Sequence, residues 1–170
     1  MCIRKKWNVI SLVMVLLLTM TGCSSEKMNS ILSEISKTIG AEVSAGEVMS
    51  ESDSHGGFHG DGSYYLILDC SKNKEQALEK VEGWNKFPLS ENLNLIMYGG
   101  EKDGVTYGYE LAEEAHMPSI DNGYYMFEDR HSESNDSRDD SELFDRYSYN
   151  FSIAIYDCDT DKMYYFEFDT

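Results

Sequence analysis

The stretch from Phe151 to Phe168 most restricts the fold. Phe151, Ile153 and Ile155 alternate with other residues, Tyr164, Phe166 and Phe168 do the same, and Asp157 to Lys162 lie between them. Period two is the repeat of a strand that buries one face, so the two runs predict a β-hairpin. The pattern recurs upstream. Residues 63–69 (SYYLILD) and 123–129 (GYYMFED) read as strands, and 42–52 as a weaker one. Leu93, Leu95 and Met97, then GGEKDG, then Val105, Tyr107, Tyr109 and Leu111 predict a second hairpin.

Two segments carry the helical repeat instead. Met28, Ile31, Leu32, Ile35 and Ile39 mark residues 28–39, with Gly40 as a stop, and Ala77, Leu78, Val81 and Trp84 mark 73–85, opened by a capping box from Asn73 to Gln76. Strands joined by short turns, two amphipathic helices and no regular βαβ alternation predict an α+β fold, a single domain over residues 28–170 with a largely antiparallel sheet. The run RHSESNDSRDDSELF before Asp145 is dense in Ser, Asp and Glu and predicts a mobile surface loop.

The N-terminus bears on location. Arg4, Lys5 and Lys6 precede twelve largely apolar residues, 9–20 (VISLVMVLLLTM), followed by Thr21, Gly22 and Cys23. A transmembrane helix needs about 20 apolar residues, so the segment reads as an export signal over residues 1–22. Met20-Thr21-Gly22-Cys23 resembles the lipobox of bacterial lipoproteins, with Met20 where that family most often has Leu. The resemblance implies removal of the signal and acylation (palmitate) of Cys23, with residues 23–27 a short tether holding the protein on the extracytoplasmic face of a membrane. Several acyl chains hold firmly, because each buried methylene contributes about 0.8 kcal/mol. The body of the chain also resembles small uncharacterised lipoproteins of Gram-positive bacteria in HGGFHGDG and GYYMFEDRHSES, and that resemblance implies a location without an activity.

Charge narrows the partners. The whole chain has a net charge of −17; without Arg4, Lys5 and Lys6 it has 11 Lys and Arg against 31 Asp and Glu, a net charge of −20. Such a field repels nucleic acid and favours cations or a basic protein. Of four cysteines, Cys2 leaves with the signal and Cys23 takes lipid, which leaves Cys70 and Cys158 either to pair in an oxidising compartment or to remain two thiols. A bridge requires that their strand ends lie together.

HGGFHGDG (residues 55–62) is the densest candidate for chemistry. Extended, His55 and His59 would lie about 13 Å apart, so they share an ion only if the chain turns at Gly56-Gly57. With Asp53 or Asp61 as third ligand they would form a zinc site of a metal-dependent hydrolase. The other readings are a glycine-rich hairpin loop that needs no cofactor, and a loop donating amides to an anion. An esterase oxyanion loop is excluded because no G-x-S-x-G occurs. Asp157-Cys158-Asp159-Thr160-Asp161 begins like a calcium loop, but Lys162 and Phe168 stand where Gly and Glu belong, which leaves a plain turn. His116 and His131 each lie near carboxylates. Three tyrosine pairs, Tyr64-Tyr65, Tyr124-Tyr125 and Tyr164-Tyr165, put one ring on each face of a strand, so either a second face is covered or an aromatic surface faces a glycan or a partner. Three functions fit: a lipoprotein acting by binding, the zinc hydrolase, and an acidic inhibitor or protective protein for a basic cell-envelope enzyme.

Overall fold

The computed structural model describes residues 22–39, 43, 46–56 and 60–170. The signal segment 1–21, the Gly40 stop and His59 lie outside them, as does the side chain of Cys23. In order the elements are α1 (Gly22–Thr38), β1 (Glu47–Asp53), β2 (Gly62–Asp69), a 3₁₀ turn (Ser71–Asn73), α2 (Lys74–Val81), β3 (Asn85–Lys86) and α3 (Glu91–Tyr98). They continue with β4 (Gly100–Lys102), β5 (Val105–Tyr107), α4 (Leu111–Glu114), β6 (Gly123–Asp129), a 3₁₀ turn (Leu143–Asp145), β7 (Asn150–Asp157) and β8 (Lys162–Asp169). The fold is α+β. Among the described residues six strands form one sheet in the order β1-β2-β8-β7-β6-β3 with every neighbouring pair antiparallel, and β4 and β5 form a separate hairpin.

The β7–β8 hairpin sits at the centre. Asp157 closes its turn by accepting the Asp159 N–H at 2.9 Å and the Thr160 hydroxyl at 2.6 Å, a plain Asx turn. Both faces of the pair are buried, because the sheet has a core on each side. One core joins Ile67, Phe127, Phe151, Ile153, Ile155, Tyr164 and Phe166 to Leu93, Ile96 and Met97 of α3 and Leu111 of α4. The other joins Leu66, Leu68, Ala154, Tyr156, Met163 and Tyr165 to Leu32 and Ile35 of α1, Ala77 and Val81 of α2, and Trp84.

Two corrections concern helices. The run ENLNLIMY is helix α3 and not a strand: the Ser90 side chain accepts the Leu93 N–H at 3.1 Å, and Gly99, with φ 71°, ends the helix. Four apolar residues at 93, 95, 96 and 97 satisfy either period, and the cap decides between them. The expected hairpin shrinks to β4 and β5 around Asp103-Gly104, both at positive φ, and Leu111 passes into α4. The capping box before α2 is also replaced: a 3₁₀ turn leads in and Asn73 makes no side-chain cap bond. At the other end, α1 begins at Gly22, so the residues read as a tether continue the helix.

The acidic segment after β6 is anchored, contrary to the expected mobile loop. Arg138 donates to the backbone carbonyls of Phe127 at 3.0 Å and Ile39 at 2.6 Å, and Asn92 donates to the Asp140 carbonyl at 2.8 Å. Arg146 forms a two-pronged pair with Asp129, which is 3% exposed. Burial raises the Asp129 carboxyl, but the Arg146 bonds, the His131 N–H and the Ser134 side chain outweigh it and hold the group below the ordinary carboxylate range. This pair therefore stabilises the fold above the ordinary carboxylate value of about 3.9, and that contribution is lost as pH falls below it. Asp129→Asn, which leaves Arg146 without its anion, is expected to cost about 3 kcal/mol by urea titration at pH 7, and less once pH falls through the lowered folded-state value of the Asp129 carboxyl. Phe151→Ala is expected to cost about 3–5 kcal/mol, while Val105→Ala, at a 52% exposed site, stays within about 0.5 kcal/mol.

Candidate functional site

Cross-strand register places the functional side chains. Glu51 lies opposite Leu66, Asp53 opposite Tyr64, and Tyr64 opposite Glu167 across β2–β8. Leu66 and Tyr64 belong to the face covered by α1, so Glu51, Asp53 and Glu167 project toward that helix as well. The apolar core stops there. Between α1 and the β1–β2–β8 corner lies a groove of about 300 Å³ lined by Ile31, Glu34, Ile35, Glu51, Asp53, His55, Tyr64 and Glu167. Four carboxylates face two isoleucines and a tyrosine. Tyr64 donates to Glu51 Oε1 at 3.3 Å; burial first and then Glu51 raise its phenol, which stays neutral at physiological pH.

His55 forms the rim. Its Nδ1 lies 2.8 Å from Asp53 Oδ1 and its Nε2 lies 3.1 Å from Asp169 Oδ2. The His55 backbone N–H donates to Asp53 Oδ1 at 3.0 Å, and this bond, followed by the ring contact, holds the Asp53 carboxyl below its ordinary range. Asp169 also accepts from Arg130 Nη2 at 3.0 Å. Gly62 permits the approach, since a Cβ there would stand 2.6 Å from His55 Cα.

Of the residues proposed for zinc, the fold brings Asp53 and His55 together. Asp61 is exposed, and its backbone carbonyl accepts the Gly56 N–H at 3.4 Å. His131 bonds Ser148 at 3.0 Å, and His116 borders a separate cavity with Met97 and Met117, so the three described histidines have three different sets of neighbours. No group of three or more His, Cys, Asp or Glu able to hold a metal ion forms among the described residues.

Of the two alternatives for Cys70 and Cys158, the fold has two free thiols and no bridge between them. Their strands do run in the same direction, each being antiparallel to β8. But β8 lies between them, and two strand spacings, about 9.5 Å, exceed the Cα separation of about 7 Å that a bridge tolerates. The Cys70 N–H bonds the Asp161 carbonyl while the Cys158 N–H bonds that of Asn122, so different neighbours hold the two. Burial, then Asp69 and Asp161, push the Cys70 thiol up to about 11.

The tyrosine pairs do not form an exposed platform. Tyr164 and Tyr165 are both 2% exposed, one in each core, and Tyr64, Tyr65, Tyr124 and Tyr125 are half-buried. Helices on both faces of the sheet account for it. Glu34, Glu51, Glu167 and Asp169 were not singled out by sequence reasoning; the one local signal was Glu167, a charge inside the apolar run KMYYFEFD. Compared with known protein families, curated proteins and solved structures, the chain matches none.

Close packing at Gly62 gives a test of the rim. Gly62→Ala is expected to lower stability by about 1–3 kcal/mol in urea titrations, while Gly83→Ala, with nothing within 4 Å of the added carbon, should not destabilise.

Proposed function

We propose that this chain is a bacterial lipoprotein, anchored through Cys23 on the extracytoplasmic face of a membrane, that acts by binding a basic partner. The groove under α1 carries the reading. A Lys or Arg side chain matches its chemistry: the aliphatic stem rests on Ile31 and Ile35 and the cation meets Glu34, Glu51, Asp53 and Glu167. The net charge of −20 without the three N-terminal basic residues draws such a partner from a distance.

The position of the groove agrees with an anchor at Cys23. Ile31 follows Cys23 by eight residues on the same helix, about 12 Å at 1.5 Å per residue. The groove would then lie beside the bilayer, where a basic cell-envelope enzyme or a basic segment of another surface protein could reach it. No helix among the described residues is long and apolar enough to cross a membrane, and the attachment proposed is the lipid.

Two measurements test the reading. Cys23→Ser should release the protein from the membrane fraction or leave an uncleaved precursor; an acylated, membrane-retained variant would sink the anchor. In micelles at 0.01 M salt, Glu51→Gln with Glu167→Gln should weaken binding of a tetralysine peptide about tenfold, and 0.15 M salt should weaken the parent similarly. Equal loss from Glu75→Gln with Glu79→Gln, exposed on α2, would mean that overall charge binds the peptide and the groove does not.

A further inference from the structure

We propose that His55 is a pH-dependent latch joining the neck of the β1–β2 hairpin to the C-terminal end of β8. Its ring meets a carboxylate at each nitrogen, Asp53 at 2.8 Å and Asp169 at 3.1 Å. A carboxylate only accepts, and a neutral imidazole carries a single N–H. Both contacts are hydrogen bonds only when the ring carries two protons. Removing one proton sets a ring lone pair against a carboxylate oxygen, and one contact must go.

The partners decide which. Asp53 is two residues from the ring and already accepts the His55 backbone N–H at 3.0 Å, so that side is held by the chain itself. Asp169 has a second donor: Arg130 Nη2 lies 3.0 Å from Oδ1 and 3.4 Å from Oδ2, and the same nitrogen donates to the Phe151 carbonyl at 3.0 Å. The deprotonated ring therefore keeps Nδ1–H on Asp53 and lets go of Asp169, which stays with Arg130.

The latch also acts on the groove. Glu34 of α1, Glu51 and Asp53 of β1, Tyr64 of β2 and Glu167 of β8 share its lining with His55, while Asp169 of β8 touches the ring and Arg130 lies behind Asp169. His55 is the one described lining residue able to carry positive charge. Its proton thus ties the rim to β8 and offsets part of the acidic wall; losing that proton frees the rim and leaves the wall more negative.

The test is a pH series on the full chain in detergent micelles, with ¹⁵N-labelled histidine, reading ring protonation and amide exchange at Ser54, His55 and Gly56. Below the transition both His55 nitrogens should carry protons. Above it the ring should be the Nδ1–H tautomer, the reverse of the form free histidine prefers. Protection of the three amides, corrected for intrinsic exchange, should fall about tenfold across the transition, the factor expected for one charge-assisted hydrogen bond. His55→Gln should show equal protection on both sides. An Nε2–H tautomer at high pH, or a His55→Gln variant that keeps the parent's pH dependence, would overturn the latch; the tautomer reading needs no variant to fold.

Discussion

Strands β7 and β8 bear apolar side chains on both faces, and such a pair is stable only inside a sheet with a cover on each side. Each large side chain buried there contributes about 1.5–3 kcal/mol. That requirement arranges the other elements. α1 and α2 cover one face and α3 and α4 the other, and β2 and β6 flank the central pair. The acidic segment after β6 is held because Arg138 and Arg146 reach back to carbonyls and a carboxylate at the border of the same sheet.

The groove lies where this cover runs out. β1 is an edge strand, exposed along almost its whole length, and α1 reaches across it without filling the corner. Glu51 and Asp53 occupy strand positions whose neighbours toward the middle of the sheet are Leu66 and Tyr64, and Glu167 stands between Tyr64 and Ser152, so the same register that builds the core delivers charge at its rim. Site and core are therefore one periodic pattern, apolar at the centre and acidic at the corner.

Much of the fold was legible because β2, β6, β7 and β8 are short runs rich in aromatic and aliphatic residues and α1 keeps a helical stripe. α3 was not legible: its apolar run fits two periods, and the decision rests on one hydroxyl at Ser90. The tyrosine pairs were ambiguous for a similar reason, since strand periodicity says that two rings face opposite ways and nothing about what covers each face. At the site, Asp53 and His55 were found because they stand two residues apart, whereas Asp169 meets His55 across 114 positions of chain. Contacts of that separation follow from the order of strands, which local pattern does not encode.

That strand order also dictates when the protein can fold. β2 has no inner neighbour until β8 exists, and β6 none until β7 exists, so the earlier strands wait for the last hairpin. Helices α1 to α4 have no finished surface to rest on before then. A chain that emerges from its N-terminus onward remains without a core through most of its synthesis, and the closing step pairs segments far apart in sequence, a slow kind of search.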